Sequence, residues 1–296
     1  MQDKYVGDIG DFGKFILLNE LYMLCNQSSI IGVNWYFTTR VEGTNNDGRH
    51  LNYFDTAKQN YENYFACSST VGPHFMHNLR AIALDESRRK VEEIEKEDNG
   101  ILPAGQMLFY REPVPYLAET PEKRKAQREE WFEISLNRLN NADILFLDPD
   151  NGIEPLIVNN GTSLFTVKKS KKKAIKYVFY SEIERYFSVG KSIIIYNHRD
   201  MKPENEYNEK FRYLTGYGCI NKCIPTLVRF RRVSVRDYIF LPQKTHLEIF
   251  AQLTTKLTSI PLSFLFRSYG IKRGLVNRCV KAFRRPSFPV PLIHAS

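Results

Sequence analysis

Asp148, Asp150, Asn151, Asn197 and His198 are the side chains of this 296-residue chain best placed, by type and spacing, to do chemistry. The first three stand in Ala142-Asp-Ile-Leu-Phe-Leu-Asp-Pro-Asp-Asn-Gly152, where an apolar run, Ile144 to Leu147, meets Asp-Pro-Asp-Asn-Gly. The other two close a second apolar run, Ser192-Ile-Ile-Ile-Tyr196. A short continuous apolar run stopped by turn residues reads as a buried strand. Open α/β sheets hold their ligands at the carboxyl ends of such strands. The interval between the runs leaves room for a crossover, so the two strands can be neighbours in one sheet. Carboxylates there can activate water or stabilise a developing cation, an amide stands beside them, and an imidazole can donate to a leaving atom. The competing explanation of Asp-Pro-Asp-Asn-Gly is a plain turn, since each of its residues favours one.

A second group of acids opens the chain, in Tyr5-Val-Gly-Asp-Ile-Gly-Asp-Phe-Gly-Lys14. The apolar spacing from Phe15 to Leu24 predicts a largely buried helix. Gly7, Gly10 and Gly13 would then form a loop at its N-terminus, where free N–H groups can receive an anion. The pattern is not a Walker A loop, because no strand precedes it and Phe15 stands where a magnesium-binding hydroxyl belongs. Asp8 and Asp11 are candidate substrate-binding residues, and Asp11 is also a candidate N-cap. Lys14 and Tyr196 are further candidates, for phosphate contact and for substrate stacking respectively.

These residues need a scaffold. Ile30–Phe37 and Gln106–Arg111 read as strands, 75–97 and Pro121–Leu139 as helices, with Trp131, Ile134, Leu136 and Leu139 turned inward. Ser181–Phe187 and 244–257 read as further helices, and Val228–Val233 with Arg236–Leu241 as a hairpin carrying Arg229 and Arg231 on one face. Alternation of strands and helices predicts an α/β fold, a three-layer sandwich around a mostly parallel sheet. A C-terminal β-hairpin and a basic helical tail, Ile271–Arg285, complete the expectation. The boundary falls between a catalytic domain, 1–257, and a basic extension, 258–296.

Composition narrows the function classes. Twenty Phe and seventeen Tyr argue against general disorder. No apolar run approaches a bilayer span and no signal peptide opens the chain, so a cytoplasmic location without membrane partners is expected. Five scattered cysteines, with only Cys219 and Cys223 close together, form no disulfide framework or Cys-rich zinc pattern. The net charge is +9, and after Glu248 no acid occurs while eight lysines and arginines do. That asymmetry points to an anionic partner, nucleic acid before membrane. Lys272, Arg273 and Arg278 in the tail, Lys168, Lys169, Lys171 and Lys172 in a lysine run, and Arg199, Arg229 and Arg231 are the expected phosphate contacts.

The strand-end Asp-Pro-x-x-Gly, with a His after a second strand, resembles the motifs of the uracil-DNA glycosylase superfamily. The opening YVGDIGDFGK resembles that of uncharacterised bacterial and phage-encoded proteins. The first resemblance implies a DNA glycosylase that flips a base, modified rather than ordinary, and leaves an abasic site without a cofactor or metal. The second adds a role in antiphage defence. Asp148 or Asp150 would stabilise charge on the sugar, Asn151 or Asn197 would orient water or read the base, and His198 would donate to the leaving base. Tyr180, Tyr196 or Trp35 would stack on it. The main rival is an S-adenosylmethionine-dependent nucleic-acid methyltransferase, because Asp148-Pro149 is similar to the start of the Asp/Asn-Pro-Pro-aromatic motif. Here, however, Asp150 and Asn151 follow, and Thr38-Thr-Arg rather than a glycine loop follows the first strong strand. A metal-dependent nuclease using Asp8, Asp11, Asp148 and Asp150 around magnesium, and a non-enzymatic DNA-binding module, are the remaining alternatives.

Overall fold

Alternation along the strands sets the architecture. The structure is a computed structural model and describes residues 1–39, 48–159, 162–165, 167–199, 204–233 and 235–269. Helix α1 (Ile9–Cys25) leads into β1 (Ile31–Asn34), and the helices α2 (Tyr61–Ser69), α3 (Phe75–Ala83) and α4 (Val91–Ile94) lead to β2 (Met107–Tyr110). Helix α5 (Pro121–Arg138) then delivers the chain to β3 (Ile144–Leu147). Short strands β4 (Gly152–Ile153), β5 (Leu156–Asn159), β6 (Thr162–Phe165) and β7 (Tyr177–Val178) precede α6 (Tyr180–Ser188) and β8 (Ser192–His198). Helix α7 (Glu204–Gly216), the hairpin β9 (Thr226–Phe230) and β10 (Arg236–Leu241), helix α8 (Leu247–Thr258) and β11 (Phe266–Tyr269) complete the described chain.

The main sheet has the order β11-β9-β10-β8-β3-β1-β2. Strands β2, β1, β3 and β8 run parallel, and β10, β9 and β11 extend the sheet antiparallel. Both faces are covered. Ile144, Phe146, Ile194 and Phe240 pack with α1, α3 and α8 in one apolar layer. Leu145, Leu147, Ile193 and Ile195 pack with α5, α6 and α7 in the other. Adjacent strand residues point to opposite faces, so apolar runs in β3 and β8 serve both layers at once. The expected three-layer α/β sandwich is the fold.

Local chemistry explains where the elements begin and end. Asp8, not Asp11, caps α1, accepting from Gly10 N at 3.0 Å. The helix therefore starts six residues before Phe15, and Gly10 and Gly13 lie inside it rather than in a loop. Their role is clearance: a Cβ on Gly10 would lie 2.3 Å from Arg236 Cζ, and one on Gly13 would lie 2.4 Å from the Phe230 ring. The single helix expected over 75–97 stops at Ala83. Just beyond, the Asp85 carboxylate takes the Ser87 N–H (2.9 Å) and hydroxyl (2.6 Å), a local turn that competes with helix. Helix α5 forms as predicted, with Thr120 as its cap accepting from Lys123 N. Ile134, expected inside, is 44% exposed.

Two expectations about the C-terminal part change. The hairpin β9–β10 is not an appendage, because β10 pairs with β8 over six residues and extends the main sheet. The boundary at 257/258 also falls inside the body: Leu262, Leu265 and Phe266 are buried, and β11 pairs with β9. The expected basic helix, with Lys272, Arg273 and Arg278, lies outside the described residues.

Candidate active site

After β1 the chain runs outward to β2, returns to the other side of β1 as β3, and continues to β8. The order thus reverses between β1 and β3, the point where open α/β sheets leave a crevice at the carboxyl ends. A cavity of about 360 Å³ opens there. Its lining includes Asp8, Asp11 and Lys14 from the start of α1, Asp148, Asp150 and Asn151 beyond β3, Tyr196 and His198 of β8, and Arg236 of β10. Met1, Tyr5, His50 and Lys176 also line it. The two strand-end motifs meet because β3 and β8 are adjacent and in register, Leu147 opposite Ile195.

Lys14 is the centre of the charge arrangement. Its Nζ lies 2.8 Å from Asp11 Oδ1 and 2.6 Å from Asp148 Oδ2, with the Tyr196 ring 4.9 Å away. Burial alone would lower the Lys14 pKa, but Asp11 and Asp148 outweigh it and raise the value, so this amine stays charged. The phosphate contact expected of Lys14 is therefore corrected, since the residue is only 3% exposed and bound to two carboxylates. The same ammonium stands between two of the acids that a nuclease metal would need. Among the described residues no group of three or more His, Cys, Asp or Glu is placed to hold a metal ion.

The four acids differ sharply. Asp11 is pushed up to about 6, by burial first and by neighbouring Asp148, against the pull of Lys14. Its Oδ2 is buried without a hydrogen-bond partner among the described residues. Asp148 is 1% exposed and held by Lys14. Asp150 is engaged: the Met1 ammonium lies 2.9 Å away and the Gln2 amide donates at 2.6 Å. Burial would raise the Asp150 carboxyl, but these partners hold it below its ordinary range. Asp8 is occupied by capping α1, by the His50 N–H at 3.1 Å and by Arg236 at 3.5 Å. Arg236 also donates to Tyr196 Oη at 3.0 Å.

Asn151 and His198 both line the cavity, Asn151 donating to Tyr177 Oη at 3.2 Å. Asn197 does not reach it. Its Oδ1 accepts from Ile153 N at 3.0 Å and its Nδ2 donates to Tyr207 Oη at 2.7 Å, in a fully buried network. This explains Gly152, whose φ is +94° and whose missing Cβ would lie 2.2 Å from Asn197 Oδ1 and 2.6 Å from Asn197 Cα. The amide expected to read substrate instead clamps the turn after β3 onto β8. Tyr180 and Trp35, considered for stacking, are core residues, 1% and 0% exposed.

The expected phosphate contacts divide. Lys168, Lys171, Lys172 and Arg231 are exposed. Lys169 is partly buried and pairs with Glu129 at 2.9 Å, and the half-buried Arg199 guanidinium lies over Tyr207 at 5.4 Å. Arg229 is not available: its Nε lies 2.7 Å from Asp237 and its guanidinium 3.8 Å from the Tyr269 ring. Sequence reasoning missed Arg236, Lys176 and Tyr5. One clue to the site was present in Asp11-x-x-Lys14, two opposite charges one turn apart near the start of a largely apolar helix.

No family model matches the chain, and no curated protein does. Among solved structures, protein LPL1258 from Legionella pneumophila str. Philadelphia 1, with family model DUF519, is similar at 10% identity, over 90% of this chain and 98% of that one, with a TM-score of 0.43. Among the described residues no helix is long and apolar enough to cross a membrane.

Proposed function

We propose that this cavity hydrolyses the N-glycosidic bond of a nucleotide whose base enters it from DNA. The observation that carries the reading is Asp11, a buried carboxyl pushed up to about 6, with one oxygen unpartnered among the described residues, beside an Asp148 neutralised by Lys14. A group titrating near the working pH is suited to take a proton from water. In the proposed step, water oxygen bonds to the sugar C1′ as its proton passes to Asp11. The C1′–N bond breaks with its electron pair going to the base, and His198 protonates the base nitrogen. Asp148 stabilises the positive charge that builds on the sugar. Tyr5 and Tyr196 supply ring surface for the base, and about 360 Å³ lies within the usual range for small-molecule sites.

The test is incubation with DNA carrying ordinary and modified bases, without cofactor or added metal, reading free base and alkali-labile abasic sites. Base release that disappears in Asp11→Asn and Asp148→Asn supports the reading. A wild-type protein that releases no base from any of these substrates overturns it. A second reading, methyl transfer from S-adenosylmethionine, is favoured by the cavity's place at the strand-order reversal, where nucleotides bind in doubly wound sheets. Against it, the residues after β1 are Trp35 and Tyr36, both buried, with the Met1 ammonium donating to the Trp35 carbonyl at 2.9 Å where a glycine turn would be required. Methyl incorporation in the same assay would select it.

A further inference from the structure

Beyond the cavity, the carboxyl end of the sheet carries a second cationic feature. Arg231 and Arg232 follow β9, and Arg267 stands near the start of β11, whose Phe266 is opposite Phe230. With Ser263 and Phe264 they line a depression of about 140 Å³, enough for a phosphate group. Arg232 is fixed: its guanidinium lies 3.4 Å from the Phe264 ring centre and donates to the Phe264 carbonyl. Its Nε is buried without a hydrogen-bond partner among the described residues. Arg231 and Arg267 are exposed, and neither has an ion pair or side-chain hydrogen bond among the described residues. Burial first, and then the two neighbouring arginines, push the Arg232 guanidinium below its ordinary range, against the opposing pull of Tyr64 and Cys67.

We infer that Arg231, Arg232 and Arg267 form a phosphodiester-binding site that anchors a nucleic-acid strand beside the cavity. The sheet supplies the ruler. From β3, which leads directly into Asp148, three strand intervals reach β9 and four reach β11. At about 4.8 Å per interval this is roughly 14 to 19 Å. B-DNA rises about 3.4 Å per base step, so the anchored phosphates lie about four to six steps from the reacting nucleotide. Fork-shaped guanidiniums suit phosphate oxygens. The inference rests on the reading of the substrate as nucleic acid, but not on the bond that is broken.

The test is fluorescence anisotropy of a labelled 20-mer, single-stranded and duplex, across a KCl series, with Arg231→Gln/Arg267→Gln. Both positions are exposed, and an unchanged melting temperature verifies the fold. The site predicts at least tenfold weaker oligonucleotide binding and a smaller salt slope, by about 0.9 per lost contact on duplex or 0.7 on a single strand. Binding to phosphatidylserine vesicles should not change. Unchanged oligonucleotide affinity and slope, or a loss confined to vesicles, overturns the inference. Lost oligonucleotide binding without any wild-type base release keeps the anchor and sinks the cavity reading; base release with unchanged binding does the reverse.

Discussion

Asp11→Asn should make the protein more stable and inactive at once. The carboxyl rises from an ordinary 3.8 to about 6 on folding, so the folded state holds a proton that the unfolded state releases. A raised carboxyl favours folding fully below about pH 4 and loses that contribution as pH climbs through 6. The two-unit rise corresponds to about 3 kcal/mol, and Asn imitates the protonated form at every pH. The variant should therefore gain about 3 kcal/mol at pH 8, about half of that at pH 5, and nothing at pH 3. For a chain of 296 residues, with about 2.1 cal/mol/K of unfolding entropy per residue, the gain at pH 8 is about 5 °C in melting temperature. Urea unfolding at several pH values, read by tryptophan fluorescence, measures the curve. A variant destabilised equally at pH 5 and pH 8 would refute the reasoning, because Asp11 would then serve chiefly as counter-ion to Lys14.

Base release should rise with pH through about 6 as Asp11 ionises, and a flat kcat/KM between pH 5 and 7 would remove Asp11 from the chemistry. Gly152→Ala should cost upwards of about 2 kcal/mol, since a side chain there meets both a left-handed backbone and the Asn197 backbone; thermal melting checks it. Glu182→Gln breaks a buried pair in which Arg128 Nε and Nη2 each lie 2.9 Å from a carboxylate oxygen, and should cost about 3 to 5 kcal/mol in denaturant unfolding. Asn197→Ala strands the buried Ile153 N–H and should cost about 1 to 3 kcal/mol. Because it also removes the amide that meets a Cβ at 152, its cost combined with Gly152→Ala should be less than additive.

The fold was legible where periodicity carried it. Strand β3 and residues 193–196 of β8 form unbroken apolar runs because both faces are buried, and α5 announces itself by Pro121 at its start and the inward Trp131. The site was half legible. Two strand ends with polar groups point to one edge of a sheet, yet nothing in Asn197-His198 tells which of two adjacent residues faces the cavity; β8's alternation decides it, and Ile153, which Asn197 holds, is 44 residues of chain away. Asp11 looked like a cap because three glycines suggested a loop, whereas Gly10 and Gly13 make room for Arg236 and Phe230 from the far end of the chain. Arg229 looked available because alternation shows the face of a strand and not its neighbour, here Asp237. Each miss is a tertiary contact that overrode a sound local pattern.

If the proposed reading holds, the cavity's ionic groups would also act as a filter. Carboxylates of Asp8, Asp11, Asp148 and Asp150 face cations of Met1, Lys14, Lys176 and Arg236, four against four, so above pH 6 the chamber is close to electroneutral. A phosphate entering it would add negative charge to a chamber whose ammonium and guanidinium groups already face carboxylates, whereas an uncharged heterocycle would not. Outside, Arg231, Arg232 and Arg267 line a depression to which the described residues contribute no carboxylate. Together the two surfaces would sort a nucleotide into its parts, retaining the backbone at the rim and admitting only the base. Acidification below 6 would blur that sorting, because a protonated Asp11 leaves the chamber one positive charge in excess.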